Sequence, residues 1–184
     1  MLDKLLPAAL MVFTAASASA QTRWDFAYSG FHYQELDIFL PSARIDGSFE
    51  GTDVNGDGIL QRQELTSFVV DTMEYVNNPD GCVMTSCSLS DFSYGIRSGK
   101  LDFASSWTYS DDFNYSVGRI KAGQFSSVVG ENGSGEWSES TYLWTDRTTF
   151  WINPAPVPEP SSIALLGAGV LVVGVWRRRA RAKG

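Results

Sequence analysis

The chain has 184 residues, room for one ordinary domain, and carries 14 Lys+Arg against 21 Asp+Glu. Setting aside Asp3, Lys4 and the five basic residues after Pro160 leaves eight basic and 20 acidic residues, a net charge of −12 over positions 21–160. A surface of that sign repels phosphate backbones, which excludes nucleic acid as a partner, and it suits a protein that meets divalent cations outside the cell.

The first segment reads as an export signal. Lys4 precedes an apolar run from Leu5 to Ala16, and Ala18, Ser19 and Ala20 are small enough for the narrow cleft of a signal peptidase. Cleavage after Ala20 is the expectation, with residues 1–20 as signal peptide and 21–153 as the exported domain.

That domain is expected to be all-β, mainly an antiparallel sandwich or barrel. Trp24, Phe26 and Tyr28 alternate with charged or small residues, and Ile45 and Phe49 continue the pattern. Leu101, Phe103, Ser105, Trp107 and Tyr109 repeat a period of two, as does the stretch 137–145. Aromatic and β-branched residues at that period suit a pleated surface with one buried face. The turn-forming clusters 77–81, 110–114 and 130–135 separate these runs. One helical candidate stands out at 63–73, where Leu65, Phe68, Val69 and Thr72 fall at helical spacing. Alternating aromatics of this kind fill a β core more often than they form a ligand platform, although Trp and Tyr faces also stack on sugar rings.

The strongest internal motif is 53-DVNGDGILQRQE-64, which satisfies D-x-[DN]-x-[DN]-G-x5-E at every constrained position. A hard cation such as calcium takes six to eight oxygens, and a tight loop presents alternate side chains inward. Asp53, Asn55 and Asp57 supply side-chain oxygens, Ile59 its carbonyl, Gln61 a direct or water-borne contact, and Glu64 both carboxylate oxygens. Gly58 allows the sharp turn and Leu60 anchors the loop in the core. Over these twelve residues the chain resembles the calcium loop of EF-hand and dockerin-type proteins. Its flanks depart from an EF-hand, because the incoming segment 43–52 has interior glycines and strand-like alternation. A single loop without a partner hand points to a structural calcium ion. The competing reading is a plain hairpin turn built on Asn-Gly-Asp-Gly, and Glu64 argues against it.

Cys82 and Cys87 lie four residues apart, the expected short-loop disulfide of an exported chain. His32, the single histidine, has no nucleophile signature near it, and no pair of carboxylates stands out as an acid and a base. No catalytic residue is identified.

The chain closes with a proline-rich spacer, 17 uncharged residues from Pro160 to Trp176, and a basic cluster. The span is just long enough for a hydrocarbon core. Its membrane-facing residues are Ile163, Leu165, Leu166, Val170, Leu171, Val172, Val173 and Trp176, with Trp176 at the interface. Arg177, Arg178, Arg179 and Arg181 stay on the cytoplasmic side by the positive-inside rule. Pro158, Glu159 and Pro160, followed by a glycine-containing apolar run and an arginine cluster, resemble the PEP-CTERM sorting signal. That resemblance implies recognition by an exosortase, processing near Pro158–Glu159–Pro160, and transient anchoring in the inner membrane. Delivery to the outer surface or extracellular matrix of a Gram-negative bacterium follows, in a biofilm or exopolysaccharide setting. The expected role is a non-catalytic surface or matrix protein, with signal peptidase and exosortase as processing partners and extracellular polysaccharide as a further one. The alternatives are an extracellular glycan-active hydrolase and a carbohydrate-binding module.

Overall fold

The computed structural model describes residues 22–78 and 86–155. Eleven antiparallel strands form one sheet: β1 (Thr22–Tyr33), β2 (Ile38–Gly51), β3 (Ile59–Gln61), β4 (Leu65–Val70), β5 (Met73–Glu74), β6 (Ser86–Gly95), β7 (Leu101–Ser110), β8 (Tyr115–Lys121), β9 (Phe125–Glu131), β10 (Trp137–Leu143) and β11 (Thr149–Asn153). The strand order is β3-β6-β7-β8-β9-β10-β1-β2-β4-β5, with β11 paired to β1 beside β10. The all-β expectation holds, as a single curled half-barrel rather than two stacked sheets.

Curling follows from where the aromatic side chains fall. On β1 the even residues Trp24, Phe26 and Tyr28 face inward, and then the ladder with β2 shifts between Ser29 and Phe31. Gly30 takes this bulge at φ +82°, a backbone state open to glycine, so that Phe31 also faces inward. β4 and β6 lie near opposite ends of the sheet, yet Phe68 of β4 meets Phe92 of β6 at 5.4 Å and Phe103 of β7 at 5.0 Å. Phe49 of β2 lies 5.2 Å from Trp24, 5.2 Å from Phe92 and 5.0 Å from Tyr94. Edge-to-face and offset rings at these distances combine a large buried area with favourable quadrupole alignment. The sheet therefore closes on its own aromatic filling at one end, while β8, β9 and β10 extend beyond it.

The helix expected over 63–73 is not formed. In this region helical geometry is confined to a 3-10 turn, Arg62–Glu64, after which Leu65–Val70 is extended. β4 pairs along β2 from Gly47↔Val70 to Gly51↔Leu65 and sends Leu65, Phe68 and Val70 into the core. Thr66, Val69 and Val70 are β-branched, and the ladder offered by β2 outweighs an apolar spacing that a helix and this strand share. The transmembrane helix expected at 160–176 lies outside the described residues. Among the described residues no helix is long and apolar enough to cross a membrane.

Candidate metal loop and sorting segment

β2 delivers the chain to the loop at Gly51, and a Thr52 N–H to Glu64 carbonyl bond of 3.1 Å closes the loop's base. Within it, each acidic side chain turns back on the backbone. Asp53 accepts from the N–H groups of Gly56 and Gly58, each at 2.8 Å. Asn55 Oδ1 accepts from Asp57 N–H at 2.9 Å, and Asp57 Oδ1 accepts from Ile59 N–H at 2.8 Å. Glu64 reaches back across the loop, with Oε1 accepting from Val54 N–H at 3.0 Å and Oε2 from Gln61 N–H at 3.0 Å. Gly56 and Gly58 take φ of +72° and +79°, which a side chain would resist.

The loop is fastened to the rest of the fold on its outgoing side. Leu60 is fully buried, β3 pairs with β6 through Ile59↔Gly95, and Gly58 carbonyl accepts from Ile96 N–H at 3.0 Å. Gln61 and Glu64 form a reciprocal cap on the 3-10 turn. Asp53, Asn55 and Asp57 thus lie on the loop, Ile59 and Gln61 on β3, and Glu64 at the end of the 3-10 turn that closes the loop's base. Their donor chemistry, carboxylate and amide oxygens, fits a hard cation. Their side chains are engaged with backbone N–H groups, however, and Asn55 Nδ2 donates to Asp57 Oδ2 at 3.0 Å. Among the described residues no three His, Cys, Asp or Glu side chains stand together as a metal-binding group.

Cys87 sits on β6 in register with Trp107, its Sγ 3.7 Å from the Glu74 carbonyl oxygen. Cys82 lies outside the described residues, and with it the expected Cys82–Cys87 bridge.

After β11 the described chain ends at 155, so Pro158–Glu159–Pro160, the apolar run and the arginine cluster Arg177, Arg178, Arg179 and Arg181 lie beyond it. Comparison with known families bears on this segment alone. Residues 156–179 match the PEP-CTERM protein-sorting motif. A PEP-CTERM motif implies export and processing by an exosortase, in line with the order of spacer, apolar span and basic end. The match leaves the β fold outside it, and no curated protein and no solved structure matches the chain.

The fold also exposes residues that alternation alone had not separated from the core. Phe113, Tyr115 and Trp137 are 73%, 43% and 63% exposed, clustered where β7–β8 and β9–β10 turn. Sequence reasoning placed 137–145 in a strand but had no means of assigning its faces.

Proposed function

We propose that the chain is an exported, non-catalytic surface or matrix protein, released by an exosortase at its PEP-CTERM tail, whose β domain is stabilised by one structural calcium ion. The sorting motif following a β-rich domain carries the export part of this reading. Signal peptidase removes residues 1–20, the apolar span holds the precursor in the inner membrane, and cutting near Pro158–Glu159–Pro160 passes the domain to the outer surface or matrix. The Cys82–Cys87 disulfide would form on the oxidising side and shape the local turn.

The calcium part rests on the backbone of 53–64, which is already wound into the required turn and held by its own carboxylates. Asp53, Asn55, Asp57, the Ile59 carbonyl, Gln61 and Glu64 would hold the ion, which supplies charge neutralisation and cross-linking of the loop rather than chemistry. Binding exchanges carboxylate–N–H bonds for ion contacts while the backbone stays in place, so little ordering cost remains.

Two measurements test the reading. Mass spectrometry of the mature protein from cells should find a C-terminus near Pro158–Glu159–Pro160; a product retaining Arg179 contradicts processing. Calcium titration of the purified full chain should give binding heat and raise the melting temperature. At a hundredfold excess over Kd the gain is about 2.7 kcal/mol. An unchanged melting temperature with no heat beyond dilution rejects the ion.

A further inference from the structure

We propose that the outer face of β8–β10 is a binding platform for a neutral, extended, equatorially linked glycan, with Tyr115 and Trp137 as its stacking rings. The proposal goes beyond sorting and calcium and depends on neither.

Register places the two rings. Tyr115 on β8 pairs with Glu131 on β9, and Glu131 pairs with Trp137 on β10. Directly opposed residues of an antiparallel ladder share a face, so the three side chains form one row across three strands. This face is opposite to the one that sends Ile120 and Tyr142 toward the core. Two strand spacings put the ends of the row about 9.5 Å apart. That is the length of one disaccharide in an extended, equatorially linked pyranose chain, in which every second ring presents the same face. Tyr115 and Trp137 are therefore spaced at the period of the ligand, with Glu131 between them in the same row.

The surroundings are polar and rigid. Tyr115 lines two adjoining depressions, one of about 500 Å³ between the hairpin tips and one of about 260 Å³ over Val117, Arg119 and Val129. Asp111 fixes the first tip by accepting from Phe113 N–H at 2.8 Å, Asn114 N–H at 2.7 Å and the Tyr109 hydroxyl at 2.5 Å. Asn132 fixes the second, its Oδ1 accepting from Ser134 N–H at 3.1 Å and Glu136 N–H at 3.0 Å. Phe113 packs against Gly133 and joins the tips. A surface held this way gives up little conformational entropy when a ligand binds.

Charge chooses among ligands. Glu131 between the rings, with Asp112, Glu136 and Glu139 around them, accepts hydrogen bonds from sugar hydroxyls and repels polyanions. Anionic lipid headgroups and uronic-acid polymers are disfavoured for the same reason. Arg119 is the basic side chain on this part of the face.

The test uses the full chain in mild detergent with cellohexaose as the soluble probe and insoluble cellulose as the pull-down matrix. Binding should quench tryptophan fluorescence, and Trp137→Ala or Tyr115→Ala should each weaken it by about tenfold, the loss of one stacked ring. Trp137→Phe should retain most of the affinity, while the melting temperatures of both Trp137 variants stay near wild type because that ring is 63% exposed. Weaker binding of maltohexaose, whose chain curves, and of polygalacturonate, which is anionic, is expected. The proposal is overturned if cellohexaose and cellulose both fail to bind, if either alanine variant binds as wild type does, or if polygalacturonate is preferred. It is equally overturned if Trp137→Ala instead dissociates a dimer, which would make the face a contact between copies.

Discussion

Phe49 is wholly buried and packs against four other rings, those of Trp24, Phe92, Tyr94 and Phe26, the last at 6.2 Å. Removing the ring takes away these contacts and opens a cavity among them, so Phe49→Ala should cost about 3–5 kcal/mol in urea denaturation. Gly47 marks the opposite limit. It faces Phe26 across the β1–β2 ladder, and a Cβ there would clash with the Phe26 ring and lie 2.6 Å from the Val69 carbonyl oxygen. Gly47→Ala should destabilise by about 1–3 kcal/mol through overpacking, in the same assay. Glu74 sets an acid limit. Burial raises its carboxyl, but the Ser67 hydroxyl and the N–H groups of Phe68, Val76 and Asn77 outweigh that and leave it below the ordinary glutamate range. A depressed carboxyl favours folding while it is ionised. Its contribution is therefore present above the unfolded value of 4.5 and lost as pH falls through the lower folded one. Glu74→Gln should flatten the fall in stability on acidification below that point; an unchanged slope would assign the effect elsewhere.

The loop 53–64 and β4 show how an element is decided by its partners. Glu64 serves three N–H groups, those of Val54, Asn55 and Gln61. Glu64→Ala should lower stability by about 1–2 kcal/mol even in chelator, from those lost acceptors alone. If the ion binds, the penalty grows when calcium is added, and the gap between the two conditions measures the ion's share. Part of this element was readable in advance: the motif spacing foretold a tight loop, Gly58 its sharp turn, and Leu60 its anchor. The following segment was not. Leu65, Phe68 and Val69 at spacings of three and four fit a helix, whereas Phe68 and Val70 at a spacing of two fit a strand. Local sequence holds both patterns, and the choice came from β2, whose ladder and buried face were free to receive a strand.

At the scale of the molecule, a half-barrel filled at one end carries an acidic surface and ends in a sorting signal. The strands around Trp24, Phe49, Leu101 and Trp137, and the turns after Ser110 and Glu131, follow from alternation and turn chemistry that any window of the chain displays. The export tail was likewise determined by sequence alone, because a sorting signal acts as a linear string of prolines, apolar residues and arginines. Tertiary structure decided which rings are core and which are surface. Phe103 and Trp137 stand in equally aromatic, equally alternating runs, yet Phe103 is fully buried and Trp137 is 63% exposed. Alternation gives two faces but not their sides. Only the curl of the sheet, set by the bulge at Gly30 and by β4 packing on β6 and β7, turns one face onto the core and leaves Tyr115 and Trp137 in solvent.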